Sequence, residues 1–131
     1  MKHFAVAAGI LRDTDGRVLI TERVGGGPFH GMWEFPGGKI ASDETAEQAL
    51  ARELTEELGI GLRDASHFMH LEHDYADRSV SIDFFLVDAW DNEPAGLEGQ
   101  QLRWVKTASL ADHNLLPADV PVIAELQQID S

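Results

Sequence analysis

No cysteine occurs anywhere in this chain of 131 residues. Neither a disulfide frame nor a thiolate metal site is therefore available, and any metal must be held by oxygen or imidazole ligands. The cytoplasm is the expected compartment. Long apolar runs are missing too: Met1-Lys2-His3-Phe4 leads straight into strand-like sequence, which supports neither a signal peptide nor a membrane span. Basic residues are scarce, 10 Lys plus Arg against 23 Asp plus Glu, for a formal net charge of −13. Such a surface repels polyanions, so neither a nucleic-acid polymer nor a membrane is expected as a partner. For most of the acids, solubility is a sufficient account. No internal repeat is found, and a 44% hydrophobic composition over this length suits one domain, 1–131, with one core.

What the chain does contain is well-punctuated secondary structure. Residues 4–11 and 18–22 are apolar and strand-like, and Asp13-Thr14-Asp15-Gly16 between them has Asp-Gly turn chemistry, which predicts a hairpin. Gly25-Gly26-Gly27-Pro28 breaks regular structure, so residues 25–31 read as a loop able to move over a pocket, followed by a short strand at 33–35. Thr45 with Gln48 three positions on is a capping box, and Gly59 supplies a left-handed stop, so a helix is predicted over 46–58. Its buried stripe is Leu50, Leu54 and Leu58; Glu53, Glu56 and Glu57 share the neighbouring face. A second hairpin is predicted from 67–75 and 80–90 around Ala76-Asp77-Arg78-Ser79, then an acidic loop over 91–101, a strand at 102–105 and a closing helix at 121–128. The expected fold class is α/β, an α/β/α sandwich around a mixed β-sheet.

The informative segment reads Gly38, Glu44, Arg52, Glu53, Leu54, Glu56, Glu57, Gly59, Ile60. Like charges three or four apart on a helix cost about 0.2–0.5 kcal/mol per pair, a cost that a cation reverses. One turn of helix lets Glu53, Glu56 and Glu57 offer carboxylate oxygens to hard divalent cations, which suits Mg²⁺ or Mn²⁺. The alternative for the trio is a solvated charged face. His70 and His73 suggest no second metal site, because strand residues three apart point to opposite faces.

This spacing resembles in full the signature of the Nudix hydrolases. Trp33-Glu34-Phe35-Pro36-Gly37-Gly38-Lys39-Ile40, Met1-Lys2, Asp77-Arg78, Pro117-Ala118 and Pro121-Val122-Ile123-Ala124 are similar to the MutT-like members. The resemblance implies a Nudix fold and a Mg²⁺-dependent cleavage (Mn²⁺ as the alternative) of 8-oxo-dGTP to the monophosphate and pyrophosphate, a step of nucleotide-pool sanitation. Free nucleotides remain compatible with the acidic surface because metal ions neutralise their phosphates. The implied metal ligands are Gly37 through its carbonyl, Glu53, Glu56, Glu57 and Glu98. Glu53 is the implied base and Glu98 the second choice, on a loop whose mobility would bring it to the metal with substrate. Arg52 is expected to orient a carboxylate or to serve as an ordinary surface partner, and Glu44 to hold the box loop or an outer metal shell. Lys39 falls to the phosphate side of the substrate, Gly38 is a further substrate-binding position, and Arg23, Phe35, Arg78 and Asp119 fall to base and sugar. Each of these four has a structural alternative: strand end, core, hairpin tip and helix cap.

At Asp119 the MutT pattern has asparagine. An ionised carboxylate only accepts hydrogen bonds, whereas oxidised guanine offers N7–H beside the O6 acceptor, so Asp119 would need a proton or must face another edge. A carboxylate also suits the cytosine amino group, which makes CTP or a modified dCTP the alternative substrate. A non-catalytic nucleotide-binding module is the alternative from another class. A monomer is expected, with a dimer as the alternative.

Overall fold

The computed structural model describes residues 2–129; Met1, one of the residues carrying the resemblance, lies outside the described residues, as do Asp130 and Ser131. Seven strands and two α-helices follow in the order β1 (Lys2–Leu11), β2 (Arg17–Glu22), β3 (Trp33–Glu34), β4 (Gly37–Lys39), α1 (Ala46–Leu58), β5 (Gly61–Asp74), β6 (Arg78–Asp91), β7 (Leu102–Lys106) and α2 (Val120–Ile129), with a 3₁₀ segment at Thr107–Asp112. Two sheets form, β4-β1-β6-β5 and β3-β2-β7. The larger is mixed: β1 runs parallel to β6 and antiparallel to β4.

The first predicted hairpin does not form. The turn closes as its residues dictate, with the Gly16 N–H donating to the Asp13 carbonyl and the Asp13 N–H to that of Arg17. The strands then diverge after a single bridge, Arg12 to Val18. β1 has both edges taken by β4 and β6, so β2 leaves to pair with β3 and β7. The second hairpin forms and runs further than its apolar pattern suggested, because β5 continues to Gly61 against Asp91 across several register shifts.

Alternation along the strands separates two cores. Ala7, Leu11, Leu19, Phe85 and Val87 face α1, whereas Ala8, Ile10, Val18, Ile20, Val80, Ile82 and Phe84 pack with Val122, Ile123 and Leu126 of α2. The helices thus lie on opposite faces, as an α/β/α sandwich requires. α1 occupies its predicted span. The Thr45 side chain accepts from the Gln48 N–H, Gln48 returns the bond, and Gly59 ends the helix at φ 71°. Leu50, Leu54 and Leu58 are fully buried, each burial stabilising by about 1.5–3 kcal/mol. This packing fixes the rotation of α1 and hence where its glutamates stand.

Candidate active site

β4, the C-terminal part of α1, the β5–β6 turn and the segment before α2 border a cavity of about 360 Å³. Its wall includes Arg23, Phe35, Gly37, Gly38, Lys39, Glu57, Arg78, Glu98 and Asp119. Glu44, Arg52, Glu53 and Glu56 are not part of that wall; they form a charged network that meets it at Gly38.

Arg52 organises the network. Its Nε and Nη2 donate to the two Glu44 oxygens at 2.7 and 2.9 Å, Nη1 to Glu53 Oε1 at 2.9 Å, and Nη2 also to the Lys39 carbonyl at 3.1 Å. Glu56 is 3.4 Å from Nη1 and largely exposed. The Arg52 guanidinium and the Ala41 N–H hold the Glu44 carboxyl down to about 2. Bidentate geometry of this kind fixes orientation as well as charge. The Glu53 carboxylate in turn lies on the Gly38 backbone, where a Cβ would fall 2.6 Å from both of its oxygens. At Gly37, φ is 153° and a Cβ would come within 2.7 Å of Ala8 Cα and collide with the Ala7 carbonyl. Gly37 tolerates no side chain, because backbone blocks it, whereas a Cβ at Gly38 meets only the end of a flexible side chain. Gly38→Ala should leave Tm within about 1–2 °C, since the flexible carboxylate gives way first, yet lower kcat by about tenfold or more through loss of that carboxylate's placement. Thermal melts and steady-state assays check both.

Glu57 is half-buried in the cavity wall. Burial first, then the charges of Glu53, Glu98 and Glu34, push its carboxyl up to about 8, while the Gly37 N–H draws it back. Among the described residues no three carboxylate or imidazole groups stand together as a ready cation cage, and Arg52 pairs with both Glu53 and Glu56. The donors are nonetheless all oxygens, and their mutual repulsion is what a hard dication relieves, so the set fits such an ion. The loop bearing Glu98 has a tethered backbone: the Ala95 and Leu97 N–H groups donate to the Leu58 and Glu57 carbonyls at 3.0 and 3.1 Å.

At the other side of the cavity, residues 114–116 run beside β3: the Trp33 N–H donates to the Asn114 carbonyl and the Leu116 N–H to that of Trp33. This delivers Asp119, 5% exposed, to Phe35, whose N–H donates to Asp119 Oδ2 at 3.3 Å. Burial, and then the charge of Glu34, push the Asp119 carboxyl up to about 8 against the pull of that N–H and of Arg23. Asp119 directly precedes α2, but this hydrogen bond runs to Phe35, just past β3, rather than to the helix. Arg23 pairs with the half-buried Glu34 at 3.2 Å. Because β1 lies between β4 and β6, Lys39 and Arg78 meet around Phe4, Nζ 3.9 Å and the guanidinium carbon 5.9 Å from its ring centroid.

A NUDIX domain family model matches residues 7–125. The chain belongs to the Nudix family. It is 41% identical to the 8-oxo-dGTP diphosphatase of Escherichia coli over 98% of this chain and all of that protein. A solved structure from work on MutT of Aliivibrio salmonicida and Vibrio cholerae superposes with a TM-score of 0.82 at 41% identity, covering 95% of this chain and 97% of that one. The Escherichia coli CTP pyrophosphohydrolase is 32% identical over 94% of this chain and 90% of its own length. Nudix hydrolases generally use a divalent metal ion, which accords with the oxygen donors described. No helix among the described residues is long and apolar enough to cross a membrane.

Several cavity residues of this Nudix chain escaped the sequence reading. Glu34 stands electrostatically between the two acidic groups, acting on both Glu57 and Asp119. The Tyr75 hydroxyl accepts from the Ala118 N–H at 3.2 Å, and its ring lies 5.1 Å from that of Phe29 in the glycine-rich loop. Position at the hairpin tip is the only sequence signal that pointed towards Tyr75.

Proposed function

We propose that residues 1–131 form one Nudix domain that hydrolyses 8-oxo-dGTP to 8-oxo-dGMP and pyrophosphate with Mg²⁺, or Mn²⁺ in its place. The observation that carries the base assignment is the buried Asp119 carboxyl at the cavity wall, which accepts from the Phe35 N–H and which burial pushes up to about 8. A protonated carboxyl has the donor and acceptor pattern of an amide: its hydroxyl donates to O6 while its carbonyl oxygen accepts from N7–H. The departure from asparagine is then chemically conservative below about pH 8.

Glu57, Glu98 and the Gly37 carbonyl would hold the cation, with Glu53 and Glu56 completing the set from the neighbouring helix face. When bound, the ion neutralises phosphate charge and favours attack by water. Glu53 accepts the proton of the attacking water, and Arg52 fixes the carboxylate that does so. Lys39, whose charge lies over Phe4 at one rim, pairs with the remaining phosphate charge, and Arg78 at the same rim serves base and sugar. Water adds to phosphorus, one anhydride P–O bond breaks, and pyrophosphate leaves.

The CTP alternative is favoured by one observation, the carboxyl at position 119 in a chain similar to a CTP pyrophosphohydrolase. Turnover on 8-oxo-dGTP, dGTP, CTP and dCTP with Mg²⁺ decides between them. The expected order places 8-oxo-dGTP first by about tenfold or more in kcat/KM, since a site built for a hydrogen bond rejects the base lacking it. A larger kcat/KM for CTP or dCTP removes the guanine assignment.

A further inference from the structure

The backbone of the Glu98 loop is shaped around one buried side chain. Gln100 is 8% exposed, and both ends of its amide are used: Nε2 donates to the Glu57 carbonyl at 3.2 Å, and Oε1 accepts from the Glu98 N–H at 2.9 Å. Gly96 permits the wrap, since a Cβ there would lie 3.2 Å from Gln100 Oε1 and would overlap the Gln100 carbonyl. The turn closes with the Gly99 N–H donating to the Gly96 carbonyl at 3.1 Å. The Glu57 carbonyl has no helical partner because α1 ends one residue later; the last carbonyls of any helix need an outside donor. Here the Gln100 amide and the Leu97 N–H supply it. One planar amide therefore joins the main chain of Glu57 to that of Glu98, two acids 41 positions apart (98 minus 57) that face the same cavity.

We propose that Gln100 is a positioning residue: its amide sets Glu98 against Glu57, so that the two acidic residues form a pre-arranged pair before any cation or substrate arrives. The proposal rests on the reading of Glu57 and Glu98 as cation ligands. It replaces a loop acid recruited by chance motion with one held at a fixed backbone distance, and it assigns to Gln100 a role beyond closing a helix end.

The test is Gln100→Met, which matches the length and removes both hydrogen bonds, made alone and together with Glu98→Gln. In the metal-free protein the Glu98 amide is expected to exchange with solvent about tenfold faster or more, while amides in the middle of α1 keep their protection. Titration calorimetry is expected to show Mg²⁺ bound about 10–100-fold more weakly, the usual consequence of removing a group that orients a ligand. In the Glu98→Gln background the same change should weaken Mg²⁺ by no more than about twofold, because the residue acts through Glu98. Equal losses in the two backgrounds, or an unmoved Glu98 amide and Mg²⁺ titration, overturn the proposal and leave Gln100 as a helix cap. Gln100→Asn, one methylene too short to span both partners, carries the same measurements should the methionine variant not fold. A wild-type protein that takes up no Mg²⁺ removes the cation reading itself, an outcome separate from an intact wild-type titration that Gln100→Met fails to shift.

Discussion

Glu53→Gln is expected to lower kcat on 8-oxo-dGTP by about 10²–10⁴-fold, the range for loss of a general base, with nucleotide Kd and Tm nearly unchanged. The substitution keeps the shape of the side chain. Glutamine retains an oxygen to accept from Arg52 Nη1, which now stands 2.9 Å from Glu53 Oε1, and it occupies the same space over Gly38. What is lost is a negative charge and a place for a proton. A binding module that regulates a partner has no turnover to lose, so a wild type without Mg²⁺-dependent hydrolysis would favour that alternative. Glu98→Gln measured alongside separates the two candidate bases: a larger loss at Glu98 transfers the assignment to the loop. Glu44 takes no part in any break of the pH–rate profile at working pH, because Arg52 and the Ala41 N–H keep it ionised down to about pH 2.

The difference between what was legible in the chain and what was not follows the range of the interactions. Helix α1 was legible to the residue because its determinants are local: the Thr45–Gln48 capping box, the four-residue leucine spacing and the left-handed Gly59 all act within one or two turns. The same locality aligned Glu53, Glu56 and Glu57. The Asp13–Gly16 turn was equally local and formed, but the partner of β1 was decided elsewhere, by β6 about 76 residues away and by a three-residue strand, Gly37–Lys39, too short and glycine-rich to carry a pattern. His67 and His70 show the same limit. Alternation puts residues three apart on opposite faces, yet a register shift between His67 and Met69 turns both towards Asp83 Oδ1, each at 2.9 Å. In the site, Gln100 and Tyr75 carry no motif of their own. Their importance comes from which backbone groups they meet, Glu57 and Glu98 in one case and Ala118 in the other.

Asp119→Asn is expected to change pH dependence in two independent measurements. In the first, kcat/KM for 8-oxo-dGTP in the wild type should fall by about tenfold per pH unit above about pH 8, where the carboxyl gives up the proton it donates to O6. The asparagine variant, whose amide does not titrate, should stay level over that range. In the second, stability is followed by denaturant unfolding. The folded Asp119 carboxyl stands at about 8 against an ordinary 3.8, so the unfolded chain releases its proton first as pH rises. A raised carboxyl therefore contributes stability in full below about pH 4, and that stability is lost progressively until about pH 8. Asparagine removes Asp119's share of the slope and leaves that of Glu57, whose carboxyl also stands at about 8. At about pH 8 the variant should be more stable than wild type by about 2–4 kcal/mol, a discounted conversion of the shift, and near pH 4 the two should be close. Parallel stability curves from about pH 5 to 8 would mean that the buried carboxyl is already ionised in the folded protein. An acceptor-only group beside Phe35 would then face the base, the guanine O6 would be repelled, and the cytosine amino group would become its natural partner. The stability slope thus decides between the two substrates without any nucleotide in the cuvette.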